Sequence, residues 1–288
     1  MTLSRRQFLM TAGAAAGAAG IGLNMPAAFA QEDVLTIALA ARAPTGVNPQ
    51  QTGLTGGDNW AIYQVFNTLA RNPDGKFATR PEEFEPSLAE SWESSEDAKT
   101  WTYKLRQGVQ FHKGYGEMTS EDVLFTFGRH LDPEIVTGGK VTFNNIAAVE
   151  APDAYTVVFT LKRPDPLFNG SAISTLPASI LSKKAFDEKG DGYNRDPIGT
   201  GPYQLEAIRE NRDAIVTAFP DYFGEPARTP RLQFAFMADT TARTLAFASG
   251  DADIIEGVRA PGWIDTIRGR ARDTIFDVTS PGSFNLLH

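Results

Sequence analysis

Apolar and polar residues alternate along several short stretches of the chain, and this pattern predicts strands with one buried face. Residues 34–40 are apolar apart from one threonine, which suits a strand buried on both faces. The apolar positions of 101–105 share one side of a strand, and 109–111 are predicted to form a returning strand after the turn at Gln107-Gly108. Further strands are predicted at 155–162, 203–208 and 214–219.

Two helices are predicted with their ends. Thr119 followed three places later by Asp122 indicates a capping box, and 123–131 carry apolar residues at helical spacing. Residues 240–249 form the second helix, with Asp239 placed to cap it and Gly250 to end it. Because strands are predicted on both sides, at 232–237 and 252–256, this last part is predicted to be a parallel strand–helix–strand crossover. The mixture predicts an α/β fold with considerable antiparallel character.

The charge balance and the cysteine content limit the function classes. The chain has 27 Lys and Arg against 35 Asp and Glu, so a general nucleic-acid binder is not expected. The sequence of 288 residues has no cysteine, so neither disulfides nor a thiol-linked lipid anchor is available. A core large enough for one or two domains must therefore hold the fold.

Residues 1–30 have the pattern of a secretory signal peptide. A charged start is followed by an Ala/Gly-rich run, and Ala28 to Ala30 give a small-x-small cleavage site. The pair Arg5-Arg6 before Phe8 resembles a twin-arginine export signal, which implies export to the periplasm in a folded state. The run is too short and too rich in glycine for a membrane span. A cytoplasmic amphipathic helix is the alternative interpretation.

Catalytic and metal-binding patterns are absent from the sequence. His112, His130 and His288 are in no metal spacing, and a surface or helix-cap location is predicted for the first two. No G-x-S-x-G motif occurs. The G-T-G-P run at 199–202 is an incomplete phosphate motif followed by a strand, so it is interpreted as a tight crossing of backbones between lobes. No catalytic residue, metal ligand or cofactor is predicted. An exported two-lobed binder or a hydrolase of unknown class remains.

Five segments occur in an order that resembles bacterial extracellular solute-binding protein family 5, the peptide- and nickel-type receptors of ABC importers. The longest is residues 86–127, PSLAESWESSEDAKTWTYKLRQGVQFHKGYGEMTSEDVLFTF. The others are VNPQQT, PIGTGPYQL, DYFGEPA and ASGDADI. They extend over nearly the whole chain after residue 30. In this segment Trp101, Tyr103 and Phe111 are interpreted as core, and the RQG and HKG triplets as solvent-facing turns.

The resemblance implies the α/β fold of a type II periplasmic binding protein, with a mixed-sheet lobe and an inserted smaller α+β domain. Residues 31–66 and 171–288 are expected to form a discontinuous, incomplete first lobe, and 67–170 the inserted domain. Because family members are longer, a C-terminal truncation is expected, with the second large lobe missing.

The resemblance also implies which residues contact a ligand. The loop 53–55 is expected to offer its backbone to an extended peptide, and a plain connector is the alternative. One aromatic residue of the 240–249 helix is expected to face the ligand or to pack in the core, and two residues near the C-terminus are expected to line the floor of the cleft. The expected ligand-binding residues are Gly53, Leu54, Thr55, Phe247, Phe284 and Asn285.

The implied function is the periplasmic substrate-binding component of an ABC importer. It would capture a small solute, with a peptide favoured over an opine, a sugar or a metal chelate, and deliver it to the transmembrane permease subunits. It would be a monomer that is not an enzyme, needs no cofactor, binds no nucleic acid and has no membrane span after export. An exported hydrolase and a non-functional fragment without its partner lobe are the alternatives.

Overall fold

The computed structural model describes residues 34–276 except 43, 45, 55, 75, 259–261 and 272–273. The strands are β1 (Val34–Leu39), β2 (Ala70–Arg71), β3 (Glu85–Pro86), β4 (Ala89–Ser94), β5 (Thr100–Leu105), β6 (Ile146–Asp153), β7 (Thr156–Leu161), β8 (Tyr203–Arg209), β9 (Asp213–Ala218), β10 (Arg231–Phe236) and β11 (Ile254–Ile255). The helices are α1 (Gly56–Val65), α2 (Ser120–Leu131), α3 (Lys183–Lys189), α4 (Thr240–Ser249) and α5 (Trp263–Arg270).

A five-stranded mixed sheet has the order β11-β1-β10-β9-β8. Strand β1 pairs in parallel with β10 on one side and with β11 on the other. Strands β10, β9 and β8 follow as antiparallel neighbours. The predicted crossover through α4 is therefore parallel, and β1 lies between the two strands that it joins.

Alternation along β1 and β10 separates the two faces of this sheet. Ile37 and Leu39 face the main apolar core, to which α1 contributes Ile62, whereas Ala38 faces the opposite side. On that side Ala246 of α4 packs in a small cluster of alanines. Helix α1 therefore covers one face of the sheet and α4 covers the other. The small side chains on the second face allow α4 to approach the sheet closely.

The second sheet is antiparallel, with the order β4-β5-β7-β6. Its buried face carries aromatic rings, and Tyr103 meets Phe159 edge to face with 5.5 Å between ring centroids. Phe127 of α2 meets Phe159 in the same way at 4.9 Å, a favourable geometry for aromatic pairs. The prediction that Trp101 and Phe111 also belong to the core is confirmed, since both are buried.

The predicted returning strand at 109–111 is wrong. Strand β5 pairs with β4 and β7 instead, and Gln110 makes only an isolated bridge with Glu117. Gly108 turns the chain with φ of 76°, and Val109 and Phe111 are buried without belonging to a ladder. The alternation of apolar residues correctly indicated burial here, but the backbone makes its hydrogen bonds within a turn and not within a sheet.

The helix ends follow the sequence. Thr119 and Asp122 form the complete capping box of α2. Asp239 caps α4 by accepting from the Ala242 amide at 2.8 Å, and Gly250 ends that helix with φ of 83°. These contacts satisfy backbone groups that a helix terminus leaves without partners.

The close approach of backbones predicted at Gly199 and Gly201 is confirmed, but the partner is the end of α1, in the same expected lobe, and not a second lobe. A Cβ atom on either residue would overlap the backbone at the end of α1, and the Gly201 amide donates to the Val65 carbonyl at 2.9 Å. Only glycine leaves room for two backbones to approach this closely.

Among the described residues, the helices are all too short or too polar to cross a membrane.

Candidate functional site

Three parallel strands end at one edge of the five-stranded sheet. Strand β1 leads into the loop 40–55 and then to α1 on one face, whereas β10 leads to α4 on the other face. Adjacent parallel strands whose connections leave in opposite directions define a topological switch point, where ligands of open α/β sheets bind. The carboxyl ends of β1 and β10 therefore form the candidate site.

The loop that leaves β1 rests on an anchored base. The Val47 amide donates to the Asn194 carbonyl at 2.9 Å. The Gln50 side chain donates to the Thr126 carbonyl and accepts from Arg129, each at 2.9 Å. The residues of this base from 47 to 50 are buried, so the following turn has a fixed support.

Gly53 and Leu54 lie at the end of that loop. Gly53 is exposed with φ of 76°, and no atom lies within 4 Å of the position where a Cβ would stand. Leu54 is half-buried and packs against the main core. The backbone at Gly53 is thus uncovered while the side chain of Leu54 faces inward. Thr55 lies outside the described residues.

The structure describes only one of the other three expected ligand residues. Phe247 is half-buried on the third turn of α4, the helix that starts from the candidate site. Phe284 and Asn285 lie outside the described residues. The expectation that these positions contact ligand stays a prediction.

Sequence reasoning missed a buried arginine at this site. Arg243 of α4 is 2% exposed, and its Nη1 donates to the Met237 and Ala238 carbonyls at 2.6 and 2.9 Å. Its Nε donates to the Glu256 carbonyl at 3.2 Å. These carbonyls follow the ends of β10 and β11, so one guanidinium joins two strand ends. The available sequence signal was a charged residue on the face of α4 that packs against the alanine cluster of the sheet.

His112 and His130 are not at the surface, because both are buried, although His130 lies in the last turn of α2 as the helix-cap alternative expects. The HKG triplet is solvent-facing only at its last two residues. His112 Nε2 lies 2.9 Å from the Gly201 carbonyl oxygen and donates to it. His130 Nε2 lies 2.9 Å from the Pro177 carbonyl oxygen, and its Nδ1 lies 2.8 Å from Thr137 Oγ1. His288 lies outside the described residues.

Burial controls the protonation of both imidazoles. It lowers the pKa of His112 to about 4, and the hydrogen bond to Gly201 opposes this shift. The pKa of His130 is likewise lowered to about 4, mainly by burial. Both rings are therefore neutral near pH 7 and tie separate segments of the chain together. This arrangement serves structure, since each ring nitrogen already has a partner within the fold.

Other chemistry is limited in the part of the chain that the structure describes. Its His, Asp and Glu residues form no group of three or more that could hold a metal ion. A cavity of about 610 Å³ lies between residues 111–122 and 182–188. Lys183 in its wall pairs with Asp187 at 2.5 Å, and the cavity touches none of the three described ligand candidates, Gly53, Leu54 and Phe247.

A model of bacterial extracellular solute-binding proteins, family 5 (Middle), matches residues 83–286, more than half of the chain. The chain belongs to this family. The family consists of transport binding proteins rather than enzymes. The resemblance carried by the five sequence segments is thereby confirmed.

Named relatives of this family 5 chain include peptide receptors. It is 31% identical to di/tripeptide-binding protein 1 of Pseudomonas aeruginosa, over 91% of this chain and 50% of that protein. It is 30% identical to the dipeptide-binding protein of Escherichia coli K12, over 74% of this chain and 43% of that protein. The chain spans about half the length of the relatives that it matches.

Solved structures similar to this family 5 chain are type II periplasmic binding proteins, which confirms the predicted fold. MoaA of A. tumefaciens R10 in complex with mannopinic acid gives a TM-score of 0.80 at 32% identity, over 87% of this chain and 50% of that one. DppA of Helicobacter pylori in complex with the peptide STSA gives a TM-score of 0.71 at 26% identity, over 81% and 48%. The mixed α/β architecture described above corresponds to about half of each.

Proposed function

We propose that this chain belongs to the periplasmic substrate-binding component of an ABC importer and provides one wall of its ligand cleft. The observation that carries the proposal is the switch point between β1 and β10, together with the loop that leaves β1 there and carries an exposed backbone turn after a buried base. A site of this kind binds by enclosing a ligand and pairing with its polar groups, and it makes no covalent change.

A peptide is the favoured ligand. The turn at Gly53 exposes amide and carbonyl groups without side-chain cover, and an extended peptide can pair with such groups as an added strand. Leu54 would fix this turn through its packing against the core. The names of the di/tripeptide and dipeptide relatives support the same ligand class, whereas the mannopinic acid complex supports an opine as second candidate.

The domain organisation follows as part of the proposal. Residues 31–66 and 171–288 would form the first lobe, because they contribute every strand of the five-stranded sheet. Residues 67–170 would form the inserted domain, which holds the four-stranded sheet. Ligand capture would close this lobe against a second one.

The remaining parts of the proposal concern export and partners. Residues 1–30 would direct twin-arginine export to the periplasm, where the chain would act as a monomer without a cofactor. Its partners would be the transmembrane permease subunits. The periplasmic location of relatives, one of which is named a periplasmic D,D-dipeptide-binding protein, supports this placement.

A binding experiment with the full-length chain tests the proposal. The probes are the dipeptide Ala-Phe, the tripeptide Ala-Ala-Ala, the tetrapeptide STSA and mannopinic acid, each followed by calorimetry and thermal unfolding. A bound peptide should raise the midpoint of unfolding by about 2 °C or more at saturating concentration. If mannopinic acid alone binds, the peptide assignment is wrong, and if no probe binds, both the peptide and the opine assignments are contradicted.

A pair of glycine variants tests the site. Gly53 and Gly108 both have φ of 76° and open space around the missing Cβ, so alanine strains both turns by a similar amount. Gly53→Ala should weaken peptide affinity about tenfold, since it displaces the pairing backbone, whereas Gly108→Ala should leave affinity within about twofold. Equal effects would contradict a role of the Gly53 turn in binding.

A further inference from the structure

We infer that Arg243 is a positioning residue for ligand capture, because its buried guanidinium holds the carboxyl ends of β10 and β11 against β1. This inference rests on the proposed function and adds to it a residue that does not itself contact the ligand. It accounts for a charge buried in a part of the fold where an apolar side chain would otherwise be expected.

The guanidinium bonds span two strand ends. Nη1 reaches the carbonyls of Met237 and Ala238, directly after β10, and Nε reaches the carbonyl of Glu256, directly after β11. The two segments are separated in sequence by α4, and the planar fork of arginine fixes the directions from which they approach. A single side chain therefore sets the distance between the segments that follow β10 and β11.

The same strand ends are bonded to β1 between them. The Met237 amide donates to the Leu39 carbonyl at 2.9 Å, and the Glu256 amide donates to the Ala38 carbonyl at 2.9 Å. The Glu256 carboxylate accepts from the Ala40 amide at 2.8 Å. These bonds extend the parallel ladder beyond the two residues of β11, and we call Arg243, Glu256 and their backbone partners the strand-end cluster.

The cluster lies where the proposed ligand would bind. Ala40 begins the loop that leads to Gly53, and Met237 begins the connection to α4. Loss of the guanidinium would leave the Met237, Ala238 and Glu256 carbonyls without this donor. The segments that follow β1, β10 and β11 would then vary in position. A ligand would have to order them on binding, and the entropy cost of this ordering lowers its affinity.

Replacement of Arg243 separates this role from general stability. Arg243→Met removes the donors, and Arg243→Lys keeps the charge but cannot reproduce the fork. Glu256→Gln changes an exposed side chain and weakens only its bond to the Ala40 amide. It is the second variant, to be used if Arg243→Met does not fold. The control is Arg209→Lys, because Arg209 binds Asp213 at 2.5 Å in the antiparallel part of the same sheet.

Amide hydrogen exchange in the full-length chain measures how firmly the strand ends are held, and it needs no ligand. In Arg243→Lys, exchange at Ala40, Met237 and Glu256 should accelerate about tenfold or more, while amides of β8 and β9 keep their rates. Arg209→Lys should show the reverse pattern. Unchanged exchange at the three amides, or equal acceleration in β8 and β9, would overturn the inference.

Peptide affinity completes the test, with Ala-Ala-Ala as the probe. Arg243→Lys should weaken binding about tenfold under conditions where the variant is folded, and Arg209→Lys should not. Unchanged affinity in Arg243→Lys, with wild-type binding present, would also overturn the inference. If the wild type does not bind Ala-Ala-Ala, the proposed peptide ligand is contradicted, whereas the exchange pattern still decides whether Arg243 holds the strand ends.

Discussion

Mild acid should destabilise this protein through its two buried imidazoles. His112 has a pKa of about 4 in the folded chain and about 6.5 when unfolded. Between these values the unfolded state binds more protons than the folded state, so stability rises with pH across this range. The stability present above pH 6.5 is therefore lost as the pH falls toward 4. Protonated Nδ1 would also face the Gly199 amide, which is itself a donor, at 3.4 Å.

The magnitude follows from the two pKa values. At pH 5 the unfolded imidazole is almost fully protonated, whereas the folded imidazole is mostly neutral. At about 1.36 kcal/mol per pKa unit, each histidine removes about 2 kcal/mol from the free energy of unfolding between pH 7.5 and pH 5. His112 and His130 together account for about 4 kcal/mol. Asp122 acts in the opposite direction, since burial raises the pKa of its carboxyl.

Urea unfolding followed by tryptophan fluorescence at pH 7.5, 6.5 and 5 measures this effect. His112→Asn cannot titrate, so its free energy of unfolding should fall by about 2 kcal/mol less than that of the wild type over the same range. His130→Asn should behave alike, and Asp122 contributes equally to all variants. A slope with pH that is the same in His112→Asn and in the wild type would refute the reasoning, as would an NMR titration of His112 near pH 6.5.

Five substitutions at four positions test the packing and the cap of α2. Gly201→Ala should lower the free energy of unfolding by about 3 kcal/mol in chemical denaturation, because its Cβ overlaps Val65 backbone, whereas Gly128→Ala in α2, with open space, should raise it by about 0.5 kcal/mol. Thr119→Ala should cost about 1 kcal/mol through loss of the capping box, and Thr119→Ser should retain most of it; equal losses would contradict the cap. Phe127→Ala should lower the midpoint of thermal unfolding by an amount equivalent to about 4 kcal/mol, and a loss below 1 kcal/mol would contradict its packing against the aromatic rings.

The local signals in the sequence were strong enough to predict most strands and helices. Thr119, Asp239 and Gly250 each act within four residues of their own position, so helix ends could be predicted without knowledge of the fold. Family membership was predicted for the same reason, since the matching segments lie along the chain in a fixed order. The Gly53 turn came from that resemblance, and its ligand contact stays a prediction.

Long-range contacts decided the rest. Val109 and Phe111 alternate as strand residues do, yet their buried positions belong to a turn because β5 already has β4 and β7 as partners. The sequence predicted a surface or helix-cap location for His112, but the Gly201 carbonyl, 89 residues away, gives its ring a buried partner.

The sequence by itself determined most of the strands and helices, the ends of α2 and α4 and the family that the chain resembles, because these properties depend on neighbouring residues and their order. Only the tertiary structure decided that β1 lies between β10 and β11, and that Arg243 joins the ends of the two outer strands. The physical reason for both features is that each buried polar group needs a hydrogen-bond partner. In a folded chain that partner can come from any distance along the sequence.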